Sequence, residues 1–156
     1  MNDDEGIQSL GPAGGSGDHD WSTMTVPAGC RIRSITFKVG DYVDQVRVVY
    51  EDADGKPHET EGGGPGGKEW LEPLEIPNGV QIVGITVRSG RVVDSVTVHL
   101  SNGDKRTFSG TKAQGNKSEV LMLPKRGGKY VGKVVGFFGT RGDKMDSIGI
   151  RYEVGG

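Results

Sequence analysis

The chain has 156 residues, 28 of them glycine, and its 19 basic and 21 acidic side chains leave a net charge of −2. That length suggests one domain with room for a substantial core, and the scattered basic residues form no stripe with interleaved aromatics of the kind that nucleic acid requires. No apolar run of about 18 residues is present to form a membrane-spanning helix, and the single cysteine, Cys30, cannot close an intrachain disulfide.

Glycine is far above its usual share of about 7 %, but it falls in clusters between apolar runs and so marks turns. In chain order, residues 1–8 read as a flexible acidic leader, and residues 9–154 as the folded domain. The leader lacks an apolar segment of signal type. The expected location is therefore cytoplasmic, or outside the cell by a non-classical route. A glycine loop follows at Gly11-Pro12-Ala13-Gly14-Gly15-Ser16-Gly17-Asp18. Ile35, Phe37 and Val39 then alternate with polar residues, Gly40–Asp44 turns the chain, and Val46, Val48 and Tyr50 resume the alternation, which is the period of a strand. Asp54-Gly55 is a tight-turn pair, and Gly62-Gly63-Gly64-Pro65-Gly66-Gly67 forms a second glycine cluster. A second hairpin carries Ile85 and Val87, then Val96, Val98 and Leu100, before an Asn102-Gly103 turn. The segment Ser109–Ser118 is polar and only partly glycine-bearing, and Ser109–Lys117 has lost the paired glycines. Apolar runs at Val120–Pro124 and Val131–Phe138 lead to Ile148, Ile150 and Tyr152. No stretch shows helical period with caps, and glycine and β-branched residues disfavour helix throughout.

One pattern recurs. Gly40-Asp41-Tyr42-Val43-Asp44, Gly90-Arg91-Val92-Val93-Asp94 and Gly142-Asp143-Lys144-Met145-Asp146 each read G-x-x-x-D between two β-rich runs. Residues 26–50 align with 76–100 without a gap, and a more distant third copy aligns Val134, Phe137, Gly142, Asp146, Ile148 and Ile150 with Ile32, Ile35, Gly40, Asp44, Val46 and Val48. A period of roughly 50 residues repeated three times predicts a threefold internal architecture. The expectation is an all-β chain of about a dozen strands, arranged as three small sheets about a pseudo-threefold axis with a shared core.

With the three G-x-x-x-D tips in register, the glycine loops at 11–17 and 63–67, and the run Val135-Gly136-Phe137-Phe138-Gly139 before the last tip, residues 9–154 resemble the jacalin-related lectins. The resemblance implies a β-prism of three four-stranded antiparallel sheets, and reversible carbohydrate binding without catalysis, metal or cofactor. It implies a primary site at Gly142, Asp143, Lys144, Met145 and Asp146, facing Gly14, Gly15, Gly17 and Asp18. It implies a second site at Gly40, Asp41, Tyr42, Val43 and Asp44, facing Gly64, Gly66 and Gly67, with Asp94 a weak third candidate because Arg91 replaces the first acid. Family members often carry glycine where Asp18 stands. Galactose-binding members usually have a processed N-terminus beside the site. This chain runs on past its glycine loop, so mannose- or glucose-type glycans are the implied partners, with a homo-oligomer supplying avidity.

The residue types suit that chemistry. A carboxylate accepts two vicinal hydroxyls at once through charge-assisted bonds, and a tight loop presents successive amides as the complementary donors. The bland alternative is that aspartate in a tight hairpin bonds its own backbone. A glycoside hydrolase would need two carboxyls about 5–9.5 Å apart flanking one bond, whereas Asp41 and Asp44 share one loop. A phosphate loop fails because Lys68-Glu69 follows Gly62–Gly67 and no helix does. A prism retained as a protein-interaction module without sugar binding is the remaining alternative.

Overall fold

The computed structural model describes residues 6–154, and the residues described are almost entirely strand and turn. The strands are β1 (Ile7–Gly14), β2 (His19–Ser22), β3 (Arg31–Val39), β4 (Val43–Glu51), β5 (Pro57–Gly63), β6 (Glu69–Trp70), β7 (Leu74–Glu75), β8 (Ile82–Ser89), β9 (Val93–Leu100), β10 (Lys105–Ser109), β11 (Lys117–Met122), β12 (Lys125–Arg126), β13 (Lys129–Tyr130), β14 (Lys133–Arg141) and β15 (Ser147–Glu153). Residues 1–5 of the expected leader lie outside the described residues. Ile7 and Gln8 already pair with Glu153 and Tyr152, so the sheet starts two residues inside the expected leader.

Three larger antiparallel sheets form, ordered β1-β15-β14-β2, β5-β4-β3-β6 and β10-β9-β8-β11, and β12 and β13 pair as a separate two-stranded sheet. In the second, β7 also pairs with β3, so the outer edge of that sheet is one strand position split between β6 and β7. Each of the three larger sheets is thus four strand positions wide, with a central hairpin (β3–β4, β8–β9 or β14–β15) flanked by an outer strand on either side. The internal repeat extends to the irregularities. The register slips between Ile32 and Ser34, between Ile82 and Gly84, and between Val134 and Gly136, at corresponding places in the three copies. Such bulges bend a strand and sharpen its local twist.

The alternation read from sequence supplies that interior. Ile35, Phe37, Val46 and Val48 from one hairpin, Ile85, Val87, Val96 and Val98 from the next, and Phe137, Ile148 and Ile150 from the last are all buried. They belong to a single apolar cluster, with Phe37 tilted against Phe108 at a centroid distance of 4.9 Å. Among the described residues no helix is long and apolar enough to cross a membrane.

The expected first glycine loop is shorter than the sequence suggested. Residues 11–14 belong to β1, where Ala13 is buried and pairs with Ile148, and only Gly15 to Asp18 form the loop. The alanine is small enough to enter the core at a register shift, which keeps the strand going through a glycine-rich stretch.

Candidate carbohydrate site

The three G-x-x-x-D tips gather at one end of the prism. The fourth residue of each, Val43, Val93 and Met145, is fully buried where the tips meet. Val93 donates its amide to the Met145 carbonyl (2.9 Å), and Met145 donates to the Val43 carbonyl at a long 3.4 Å. This corrects two sequence expectations. Val43 and Met145 are plugs of the apex, and the Met145 amide is turned toward the core partner rather than toward solvent.

Around this plug the glycine loops lock the tips in a ring. Each loop first bonds its own hairpin: Gly15, Gly64 and Gly110 donate amides to the carbonyls of Asp146 (2.7 Å), Asp44 (2.8 Å) and Asp94 (3.0 Å). The same three glycines then press against the next tip round. A Cβ on Gly15 would lie 2.0 Å from the Arg91 carbonyl oxygen, on Gly64 2.5 Å from that of Asp143, and on Gly110 2.3 Å from that of Asp41. No side chain fits, so glycine here is a packing requirement of the fold. The middle hairpin therefore keeps its glycine pair. Gly110 and Gly115 take the places that sequence reasoning judged lost, separated by a longer insertion that hid their correspondence.

The ring also redirects the second residue of each tip. Asp41 does not face Gly63–Gly67 as expected. Its carbonyl accepts the Lys112 amide (2.9 Å) and its carboxylate lies 3.6 Å from the Lys112 ammonium. Asp143 likewise turns its carbonyl to the Gly66 amide of the first hairpin's loop (3.0 Å). Only the final aspartates face their own loops. A Cβ on Gly17 would meet Asp146 Oδ2 at 2.2 Å, and one on Gly66 would meet Asp44 Oδ1 at 2.9 Å. The Gly115 amide donates directly to Asp94 Oδ2.

Accessibility separates these three carboxylates. Asp44 is 3 % exposed and Asp94 2 %, whereas Asp146 is only half-buried. Burial raises the Asp146 pKa above the ordinary carboxylate value of 3.8, and the nearby Asp18 carboxylate raises it further; the Gly142 amide and Lys144 pull the other way. Burial is also the main cause raising Asp44, opposed chiefly by the Lys144 charge. Lys144 thus reaches across the apex toward the first hairpin, with its ammonium 5.9 Å from the Tyr42 ring centroid. Among the described residues, the Asp143 and Lys144 amides have no backbone acceptor, which leaves two donors beside the Asp146 acceptor.

The frame holding Asp146 was not anticipated. Thr140 accepts the Asp146 amide on its carbonyl (2.9 Å) and the Gly17 amide on its hydroxyl (3.1 Å). That hydroxyl also bonds the Ser147 hydroxyl (2.7 Å). Trp21 Nε1 donates to the carbonyls of Thr140 (3.1 Å) and Ser147 (3.2 Å), fixing β2 beneath the tip. The signal was a break in the repeat. The residue two before the tip glycine is Lys38 or Arg88 in the other hairpins but Thr140 here, and its hydroxyl bridges loop and strand. The first glycine of each tip differs from the loop glycines. Gly142 is not in the left-handed region, and a Cβ there would meet only Asp146 Oδ2, at 3.8 Å.

Among the described residues no group of three or more histidine, cysteine, aspartate or glutamate side chains is placed to hold a metal ion. Asp143 and Asp146 share one tip and so approach a ligand from one side, unlike the flanking carboxyls of a glycosidase.

A family model described as the jacalin-like lectin domain matches residues 10–151. Horcolin of Hordeum vulgare is 33 % identical over 146 residues, covering 90 % of this chain and 92 % of that protein. An agglutinin of Castanea crenata is 28 % identical over 153 residues, covering 92 % of this chain, which spans only 46 % of the agglutinin's length. Among solved structures, an artocarpin–mannotriose complex superposes with a TM-score of 0.74 at 21 % identity, covering 95 % of this chain and 98 % of that one. At that identity the likeness speaks for the fold.

Proposed function

The chain belongs to the jacalin-like lectin domain family, and from that premise we propose that it binds mannose- or glucose-type glycans at the third hairpin tip, without turnover and without metal. The observation that carries the site is Asp146, which among the three final tip aspartates Asp44, Asp94 and Asp146 is the one that is not buried, set opposite Gly17 and beside two unspent amides. Two sugar hydroxyls would donate to its carboxylate, while the amides of Asp143 and Lys144 donate to the lone pairs of the same hydroxyls. Each partner is then used in the sense its chemistry allows. Gly142 leaves one flank of the carboxylate bare for a pyranose, and on the other Gly17 packs close without a side chain to cover it.

The ligand class is supported by artocarpin, which shares the prism and was crystallised with mannotriose. A second, weaker site at Asp44 fits the motif but is more deeply covered, and the Tyr42 ring beside it would contact the next sugar of an oligomer. A single shallow site of this kind binds near millimolar, about −4 kcal/mol. Two sites per chain and self-association would supply avidity by raising effective concentration.

Titration with methyl α-mannoside, followed by amide NMR, tests the reading. Shifts are expected at Gly15–Asp18 and Gly142–Asp146, and their loss in Asp146→Ala. A titration that leaves these amides unmoved, or an Asp146→Ala protein that still binds, rejects it.

A further inference from the structure

A hollow lined by a tip aspartate, Asp94, lies at the middle hairpin. It encloses about 440 Å³ between the β8–β9 tip and the 109–118 loop, and residues of all three tips line it. A volume of that order suits a small ligand.

Its chemistry is the reverse of the Asp146 site. Asp94 is buried, and its Oδ2 already accepts the Gly115 amide. Gly115 is in turn fixed by Arg88 Nε, which donates to its carbonyl at 2.6 Å. The carboxylate that grips hydroxyls elsewhere is spent on the loop here. Cations stand in its place. Arg91 occupies the position held by Asp41 and Asp143 in the other tips, and Lys144 enters from the third tip. Among the described residues neither has a carboxylate within 4.0 Å, while nearby Asp41 is matched to Lys112. Tyr42, Gln114 and Asn116 also line the hollow, the last two supplying amide groups that pair with hydroxyls in either sense.

We infer that this hollow is a separate site for an acidic saccharide, a pyranose bearing a carboxylate such as a uronic acid residue, with Arg91 taking the carboxylate through its planar fork. A guanidinium meets a carboxylate through two parallel N–H···O bonds, which a neutral sugar cannot return. The ring would lie along Tyr42, with its hydroxyls between Gln114 and Asn116. This site does not depend on the mannoside reading: it uses neither Asp146 nor its glycine loop, and it shares only Lys144, here through the side chain rather than the amide.

The test compares methyl β-glucuronide with methyl β-glucoside by amide NMR on the full chain, with methyl α-mannoside titrated in a parallel sample. The glucuronide is expected to shift the amides of residues 90–92 and 114–116 and to bind there at least about tenfold more tightly than the glucoside. Arg91→Gln should remove that preference, and Arg91→Asp, which restores the acid of the other tips, should reverse it. Because the Arg91 side chain is exposed, both variants should fold, and the mannoside response at Gly142–Asp146 serves as the check in the same proteins. A glucuronide response confined to residues 142–146, no response at all, or a preference that survives Arg91→Gln would overturn the inference. A lost mannoside response with the glucuronide response intact would reject the proposed function alone.

Discussion

Gly142→Ala separates what the tip glycine does for the fold from what it does for a ligand. The backbone at Gly142 is not left-handed, and the added methyl carbon would touch only Asp146 Oδ2, at 3.8 Å, an ordinary van der Waals distance. Nothing in the folded state is displaced. Replacing glycine by alanine at such a position narrows the unfolded ensemble and commonly stabilises by about 0.4–1 kcal/mol. For a domain of this size that is a rise in Tm of roughly 1–4 °C. The same methyl stands on the open side of the carboxylate, where a sugar hydroxyl bonded to Oδ2 would sit at about 2.7 Å. Crowding out one charge-assisted bond costs roughly 1.5–3 kcal/mol, or about 10- to 150-fold in affinity, which removes a near-millimolar ligand from observation. Thermal unfolding and a methyl α-mannoside titration read the two effects separately. An alanine variant that keeps full mannoside affinity would refute the idea that the bare flank of Asp146 is the binding surface. One that unfolds several degrees early would show that this glycine is structural after all.

Gly15→Ala should behave in the opposite way. Its Cβ would stand 2.0 Å from the Arg91 carbonyl oxygen, an overlap that the ring of tips cannot absorb, so a loss of about 1–3 kcal/mol or more is expected in denaturant unfolding. Mannoside binding should weaken as the pH falls through the raised pKa of Asp146, because only the ionised carboxylate accepts two hydroxyls; the acid limb should therefore begin above the ordinary carboxylate range. Asp18→Asn removes one of the causes of that shift and should move the limb to lower pH in a binding titration. For folding the sign is reversed: a carboxylate whose pKa is raised on folding lowers stability as pH rises from its unfolded to its folded value. Asp146→Asn should therefore be less pH-sensitive in Tm across that window. The double variant Asp44→Ala with Asp146→Ala should lose retention on a mannan column while unfolding cooperatively, and retention would leave the tips without a role in binding.

The architecture was legible because it is written three times. Period-two alternation at Ile35–Val39 and Val46–Tyr50 recurs at Ile85–Val98, and a pattern that repeats with its turn glycines leaves little freedom in strand pairing. The aspartates were legible for the same reason. What escaped was how one tip meets another. Gly15 and Gly64 read as ligand-facing glycines and Gly110 as part of a polar segment, but the missing side chains of all three make room for carbonyls of tips far away in sequence, and no local pattern reports such contacts. Val43 and Met145 read as loop residues because they lie between polar neighbours. Their burial follows from convergence of three tips on one axis, which appears only when the copies are assembled. Gly115 escaped because an insertion moved it out of register with Gly17 and Gly66.

The ring of tips has a consequence for how the three sites diverge. Each loop glycine is tied to its neighbour through main-chain atoms: the Arg91, Asp143 and Asp41 carbonyls do the packing, whatever side chain the residue carries. The second position of the tip can therefore change from acid to base without disturbing the frame, as Arg91 shows. The final aspartate has no such freedom at Asp94, where its carboxylate holds the Gly115 amide, and it has more at Asp146, where the loop amides go to Thr140 and to the Asp146 main chain instead. Where Thr140 has taken over that structural work, the proposed use of the aspartate for a sugar does not compete with holding the loop. Where the carboxylate is still needed to hold the loop, new specificity has to come from the second position.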